Sequence, residues 1–358
     1  MSEFETTVRY SNGNAIQYKC PTCGSEMQYD GQKHALVCLS CNSVHELEES
    51  IRDKDMGEKP YTDPEYENIP AWGEQLVNVR CKSCGGVGKY DVLMLADFCP
   101  FCGSGNIMSE TEVPDGVIPF NIAEDVAHNN LVAWIKKRKF APNKLKKQFR
   151  MGVMSATFVP FWTFDADVAT KYSAHVGKDY TTRDSKGNTS THTRWWTERG
   201  EWSQSFDNLP VYASTRTAEK LAGNVSFDQD ALMPFHENLL VGHKAEKPSI
   251  GRKRGFELAR EKMQQLIVSA IKSFYTGQPG IDHCDSVSTD PIYSNVKYKQ
   301  LVAPIWMSEF EYHGKRYQAL INAQTGAVNG KYPLSWIKIG LLILVVAAII
   351  ALIAYLAQ

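Results

Sequence analysis

The chain has 358 residues, 39 Lys and Arg against 40 Asp and Glu, and 9 Cys. Its formal net charge of -1 gives no whole-chain pull towards nucleic acid or membrane, although Glu46 to Glu67 is acidic and Lys136 to Arg150 strongly basic. The N-terminal stretch lacks a basic segment followed by an apolar one, so no secretory leader and no disulfide framework are expected, and closely paired reduced thiols read as metal ligands.

After a polar lead-in over residues 1 to 18 come Cys20, Cys23, Cys38 and Cys41, spaced C-x2-C-x14-C-x2-C. Cys81, Cys84, Cys99 and Cys102 repeat that spacing at a constant offset of 61 residues, the mark of an internal duplication. A C-x-x-C knuckle turns two thiolates towards one point, and two knuckles complete a tetrahedron. The residues that follow the knuckles, Gly24, Asn42, Gly85 and Gly103, tolerate the positive φ such turns need. Between the knuckles a short hairpin is expected, with Met27 and Tyr29 outbound, Ala35 and Val37 returning, and Asp30-Gly31 at the turn.

This is a zinc-ribbon layout. Four thiolates select zinc or iron, and the C-P-x-C-G knuckles at Cys20 and Cys99 also resemble those of rubredoxins. Two structural Zn2+ sites of four Cys each are favoured, because so small a ribbon lacks the apolar core to fold without a metal. His45, four residues past Cys41, is an alternative ligand, against the plainer reading of a histidine on a ribbon strand.

The expected organisation is α+β: ribbon 1 over 1–46, an acidic linker over 47–76, ribbon 2 over 77–112, a central, mainly antiparallel α+β domain over 113–335 and a C-terminal transmembrane helix over 336–358. The linker reads as flexible, being acidic, poor in apolar residues and interrupted by Gly57, Pro60 and Pro64. Ribbon 2 carries more apolar filling, including Val92, Leu95 and Phe101, for which a partner surface and the following domain are equal candidates.

In the central domain, Ile122, Val126, Leu131, Trp134 and Ile135 recur at helical spacing, with Asn121 or a neighbour as cap. Pro142 breaks the pattern, and a second short basic helix is expected to end near Arg150. The lysines there suit phosphates of nucleic acid or of lipid headgroups, or form a solvated face. From Phe158 the period becomes two, with Val168, Thr170, Tyr172, Ala174 and Val176 facing one way, and a polar tip leads to a returning strand with Trp195, Trp196, Trp202 and Phe206. A helix is expected from Lys253 to Tyr275, then strands at Ile292 to Tyr298, Val302 to Tyr312 and Tyr317 to Asn322. A shared P-x-W core at Pro160 to Trp162 and Pro304 to Trp306 hints at a second duplication.

Ile339 to Ala357 is 19 residues without a charge, about 28 Å as a helix, matching a hydrocarbon core of about 30 Å. Twelve of them are Ile, Leu or Val, which favour insertion by about 4 to 7 kcal/mol. Trp336 and Tyr355 sit where interfacial aromatics belong, and Lys331 and Lys338 lie on the N-terminal side. The expectation is a single-pass, tail-anchored protein of the cell membrane with its bulk in the cytoplasm.

No G-x-x-x-x-G-K-[ST], H-E-x-x-H or G-x-S-x-G occurs, and the adjacent His283 and Cys284 diverge in an extended chain, so no catalytic residues are assigned and no enzyme is expected. Lys19 to His45 carries two basic and two acidic residues, and Arg80 to Asn106 three and two. Neither ribbon has the positive excess that phosphate binding draws on, so protein contact suits them better than nucleic acid.

The twin ribbons, Pro160 to Trp162, the stretch YQALINAQTGAVNG from Tyr317 to Gly330 and the C-terminal span together resemble bacterial tandem zinc-ribbon membrane proteins, often labelled transcription factor IIB-type ribbon or replication-restart helicase-like proteins. Some of that family act at the membrane with stomatin/prohibitin/flotillin-type and phage-shock protein A-like proteins. The resemblance therefore implies a non-catalytic, membrane-anchored adaptor that docks partner proteins in an envelope-stress or membrane-organising complex. The alternative is a membrane-tethered nucleic-acid-binding ribbon protein.

Overall fold

The computed structural model describes residues 19–31, 33, 35–46, 56–64, 67–81, 83–107, 113–148, 154–185, 187–216 and 227–356. The expected end of the basic segment at Arg150, the lead-in and much of the acidic stretch lie outside these residues.

Two strands organise the molecule. β10 (Met154–Arg183) and β14 (His283–Tyr312) are each 30 residues, roughly 100 Å if fully extended, and run antiparallel side by side. β11 (Thr189–Tyr212) returns along β10 from a polar tip, making a three-stranded arm. The two strands expected at Ile292 to Tyr298 and Val302 to Tyr312 are therefore one, because Lys299, Gln300 and Leu301 between them stay in register with β10. Helix α3 (Arg252–Thr276) lies on one face of the arm and buries Gly255, Ala259, Met263, Ile267, Ile271 and Tyr275. These recur every four residues, and the apolar Leu266 and Phe274 beside that stripe stay exposed. The arm side chains Val168, Thr170, Ala174 and Val176 are buried, as the alternation predicts.

The faint P-x-W repeat is a detailed internal symmetry. The Pro160 carbonyl accepts the Ala213 N–H at 3.0 Å, and the Pro304 carbonyl accepts that of Ala323 at 3.0 Å. Ala213 in turn accepts from Ser249 and Ile250, just before α3. Ala323 accepts from Asn121 and Ile122, just before α1 (Glu124–Lys137). The Trp162 indole N–H donates to the Ile250 carbonyl at 2.8 Å and that of Trp306 to the Ile122 carbonyl at 2.8 Å. Strand β13 (Lys244–Glu246) runs parallel to β10 with Ala245 opposite Phe158. In the other unit β9 (Gly116–Val117) runs parallel to β14 with Val117 opposite Val302, and β12 (Met233–Pro234) pairs with β9 on its far side. Two helix-plus-hairpin units thus fasten the starts of each other's helices: α1 packs with β15 (Lys315–Asn322), while α3 lies across β14, β11 and β10. Asn121 spends its N–H on Ala323, and the N-cap position of α1 falls to Ala123.

Both ribbons join this body. In ribbon 1, β1 (Met27–Asp30), β2 (Ala35–Cys38) and β3 (Val44–Glu46) form an antiparallel sheet, with Asp30 ending β1 rather than opening the turn. Met27, Tyr29 and Leu36 share one buried cluster with Phe120, Phe158 and Leu239. Gly31 is required there: a Cβ on it falls 1.6 Å from the Phe120 carbonyl oxygen. In ribbon 2, β5 (Leu76–Arg80) pairs with β6 (Val87–Asp91), while β7 (Met94–Phe98) pairs with β8 (Gly105–Ile107) and β13. The following domain, one of the two candidates for the apolar side of ribbon 2, takes up Leu95, whereas Phe101 stays exposed. Lys244 and Asp97 add an ion pair at 2.9 Å, and the fully buried Glu246 is held by Arg216 and the Ser214 hydroxyl.

Composition predicts a flexible linker for the acidic stretch, and its described part is fastened instead. β4 (Lys59–Pro60) pairs with β14, Tyr61 packs against Phe164 and Phe256, and Glu58 binds Lys297 at 2.9 Å. Glu67 accepts the N–H groups of Arg252 and Lys253, capping α3 where Gly251 offers no side chain. Charges that composition alone would leave to solvent find partners on β14 and at the start of α3.

Past β16 (Val328–Gly330), α4 (Trp336–Leu356) is 21 residues, about 32 Å, with none of its residues buried. It is the one helix among the described residues that is long and apolar enough to cross a membrane.

Candidate metal centres

Each knuckle is built by the same pair of backbone bonds. In the first, the Gly24 N–H donates to the Cys20 carbonyl and the Cys20 N–H to the Ser25 carbonyl, both at 2.8 Å. Asn42 and Cys38, Gly85 and Cys81, and Gly103 and Cys99 repeat it at 2.7 to 3.0 Å. The turn requires positive φ at its fifth residue, just after the second cysteine, and Gly24, Asn42, Gly85 and Gly103 have φ of 72, 58, 72 and 77°.

These turns gather the eight cysteines into two groups of four, with the sulfurs of each within 4.8 Å of one another. Cys20 to Cys41 and Cys23 to Cys38 are 3.5 Å apart, Cys81 to Cys102 is 3.7 Å and Cys84 to Cys99 is 3.8 Å. A tetrahedral ion with metal–sulfur bonds of about 2.3 Å sets its sulfurs about 3.8 Å apart, so both cages suit zinc. Cys20, Cys38, Cys81 and Cys99 are buried, while Cys23, Cys41, Cys84 and Cys102 face out. His45 lies outside both groups.

The electrostatics of the cages also call for a cation. The Ser43 hydroxyl, with help from the Cys23 and Thr22 N–H groups, pulls Cys20 down to about 5 against burial. Burial pushes Cys81 up, but the Ser104 hydroxyl and the N–H groups of Cys84 and Ser83 outweigh it and bring it to about 5. The Cys41 N–H favours the Cys38 thiolate and the Gly86 N–H that of Cys84, yet burial and the adjacent sulfurs push both up to about 11. Four thiolates this close do not all ionise unless a positive ion compensates them.

Ser43 and Ser104 are not singled out by the cysteine pattern. Ser43 Oγ lies 3.0 Å from Cys20 Sγ and 3.2 Å from Cys41 Sγ, and Ser104 Oγ lies 3.3 Å from Cys81 Sγ and 3.0 Å from Cys102 Sγ. A signal for them exists all the same: the two serines stand at the same 61-residue offset as the cysteines. They hold the sulfurs in place and delocalise their charge.

Glu58, Asp165 and Asp207 form a third close grouping, which is an ion-pair network with Lys297 and Lys299. Lys297 lowers Glu58, while burial raises Asp165. Elsewhere, His283 points to Asp179 at 2.9 Å while the half-buried Cys284 packs into the arm core, its thiol pushed up by burial. The geometry does not join these two neighbours. Trp196 and Trp202 pack into the same core, and the half-exposed Trp195 stacks on His175 at 4.9 Å.

No protein-family model matches the chain, and no solved structure matches it. It is similar to the uncharacterized protein YdjG of Bacillus subtilis (strain 168), 27% identical over 325 residues that cover 89% of this chain and 91% of that protein. The likeness spans nearly the whole of both chains and adds no activity.

Proposed function

We propose that this chain is a non-catalytic adaptor held at a membrane by α4, with two structural zinc ions that stiffen surfaces for partner proteins. The observation that carries the reading is the second knuckle of each ribbon. Leu39, 68% exposed, and Phe101, 66% exposed, stand between two cysteines of a locked turn and lie largely open to solvent. A large apolar side chain on a rigid, near-neutral surface is an anchor for another protein. The closed four-sulfur cages also support a structural ion, since a catalytic zinc keeps an open position.

The bulk of the chain is proposed to lie in the cytoplasm, on the side of Lys331 and Lys338. The resemblance to tandem zinc-ribbon membrane proteins makes stomatin/prohibitin/flotillin-type and phage-shock protein A-like proteins the first partners to look for. Metal analysis of the full-length protein is expected to give zinc at two ions per chain, and visible absorbance from iron overturns that assignment. Pull-downs from detergent-solubilised membranes with the wild-type chain and with Leu39→Ser/Phe101→Ser test the docking. The double variant is expected to lose membrane-scaffold proteins that the wild type retains. Recovery of nucleic acid without any such protein sinks the adaptor reading.

A further inference from the structure

By its composition the basic segment suits lipid, nucleic acid or solvent alike. The fold brings it to one place. From Val126 to Phe164 the sequence contains no Asp or Glu. Within that stretch α1 ends in Lys136 and Lys137, a turn carries Lys139, and α2 (Asn143–Gln148) carries Lys144, Lys146 and Lys147. Five of these six are exposed and Lys146 is half-buried. Among the described residues none of them has a carboxylate partner.

The turn between α1 and α2 is bound to the start of α4. Lys338 Nζ donates to the carbonyls of Lys139, at 3.2 Å, and Ala141, at 2.8 Å. The Ser335 N–H donates to the Phe140 carbonyl at 2.8 Å. Arg138 differs from the other cations of the turn, because its guanidinium lies 4.2 Å over Trp134 and 5.7 Å over Tyr332 and so joins α1 to the segment that leads into α4. Lys338 is the last charge before the apolar run, and Trp336 and Ile337 beside it are 79% and 86% exposed. The carbonyls of 139 and 141 therefore stand at the depth where the hydrocarbon begins. Helix α2 is six residues, about 9 Å long, so its lysines stay within about a Debye length of that level.

We propose that the α1–α2 turn and α2 form a binding surface for anionic lipid headgroups of the leaflet that α4 enters. It rests on the reading of α4 as a membrane span. A cluster of lysines without carboxylate partners, fixed at headgroup depth, meets lipid phosphates at high local density. A nucleic acid approaching the same lysines is repelled by the anionic leaflet. The cation–π stack and three backbone contacts hold the cluster in place, so the surface also sets how the body leans on the bilayer.

The test uses the zinc-loaded full-length protein reconstituted in phosphatidylcholine vesicles and in vesicles with roughly a third phosphatidylglycerol. Lysine acetylation rates are read by mass spectrometry. Lys136, Lys137, Lys139, Lys144 and Lys147 are expected to react several-fold more slowly in the anionic vesicles and to recover in high salt. Lipids retained in polymer-excised membrane discs are expected to be enriched in phosphatidylglycerol for the wild type and not for Lys144→Gln/Lys146→Gln/Lys147→Gln. Each lysine removed is worth about fivefold. Equal rates in the two vesicle types, or protection by duplex DNA or inorganic phosphate in phosphatidylcholine vesicles instead, overturns the surface. An alkaline carbonate wash separates the two ideas: a protein stripped from the vesicles sinks the span and the surface together. One that stays embedded with equal rates sinks the surface alone.

Discussion

His243 makes the attachment of ribbon 1 sensitive to acid. Its ring is 5% exposed, stacks on Phe120 at 4.1 Å and 8°, meets Phe158 edge-on and lies 3.3 Å from the Gln28 amide of β1. Burial pushes its pKa down to about 4 against the opposing pull of the Tyr29 backbone. In the unfolded chain the imidazole titrates near 6.5. As the pH falls, the unfolded state takes the proton first, so stability is full above the unfolded value and declines from there towards pH 4. Between about pH 7.5 and about pH 5 the loss from this one group is about 2 kcal/mol. His243→Phe keeps the stacked ring and removes the titration. Denaturant unfolding of the zinc-loaded chain in detergent, followed by tryptophan fluorescence, compares the two proteins at both pH values. The stability difference is expected to shift by about 2 kcal/mol in favour of the variant at the lower pH. A difference that does not change with pH refutes the reasoning, because every other titrating group is common to both chains.

Gly31→Ala places a methyl against the Phe120 carbonyl and is expected to cost about 1 to 3 kcal/mol, seen as faster proteolysis of ribbon 1 with zinc still bound. Glu67→Ala strips the cap from α3 and is expected to cost about 1 to 2 kcal/mol in denaturant unfolding, with Glu67→Gln recovering part of it. Ser43→Ala and Ser104→Ala are each expected to weaken one zinc site about tenfold or more, measured by competition with a chelating dye, and to leave the other site unchanged. Removing both ions with a chelator is expected to unfold the knuckles and expose Met27, Tyr29 and Leu36, read as dye binding that zinc reverses.

The cages and the long elements are legible in the sequence because their signals are local. A knuckle is fixed by two cysteines and one residue of positive φ, so Cys20 to Gly24 specifies its turn without help from the rest of the chain. The α3 helix and the Val168 to Val176 strand announce themselves by period, and α4 by an unbroken apolar run. Ser43 and Ser104 are within reach of the same 61-residue repeat and need only that the offset be followed past the cysteines.

What the linear chain leaves open is decided by contacts between distant segments. Glu58 and Glu67 look like solvated linker charges until Lys297 and the first N–H groups of α3 come to them from more than 180 residues away. The P-x-W echo becomes a mutual fastening of helix starts only when each indole finds the carbonyl ahead of the other unit's helix. Ribbon 2 gives up the pairing seen in ribbon 1 because β13 offers β7 an edge inside a large sheet. Spacing and period, written within a dozen or so residues, specify two metal cages and a membrane-length helix. Burial and hydrogen bonding between segments far apart in sequence decide that the cages belong to one body and that the basic turn sits at the mouth of the anchor, since no local pattern encodes which distant partner satisfies a buried polar group.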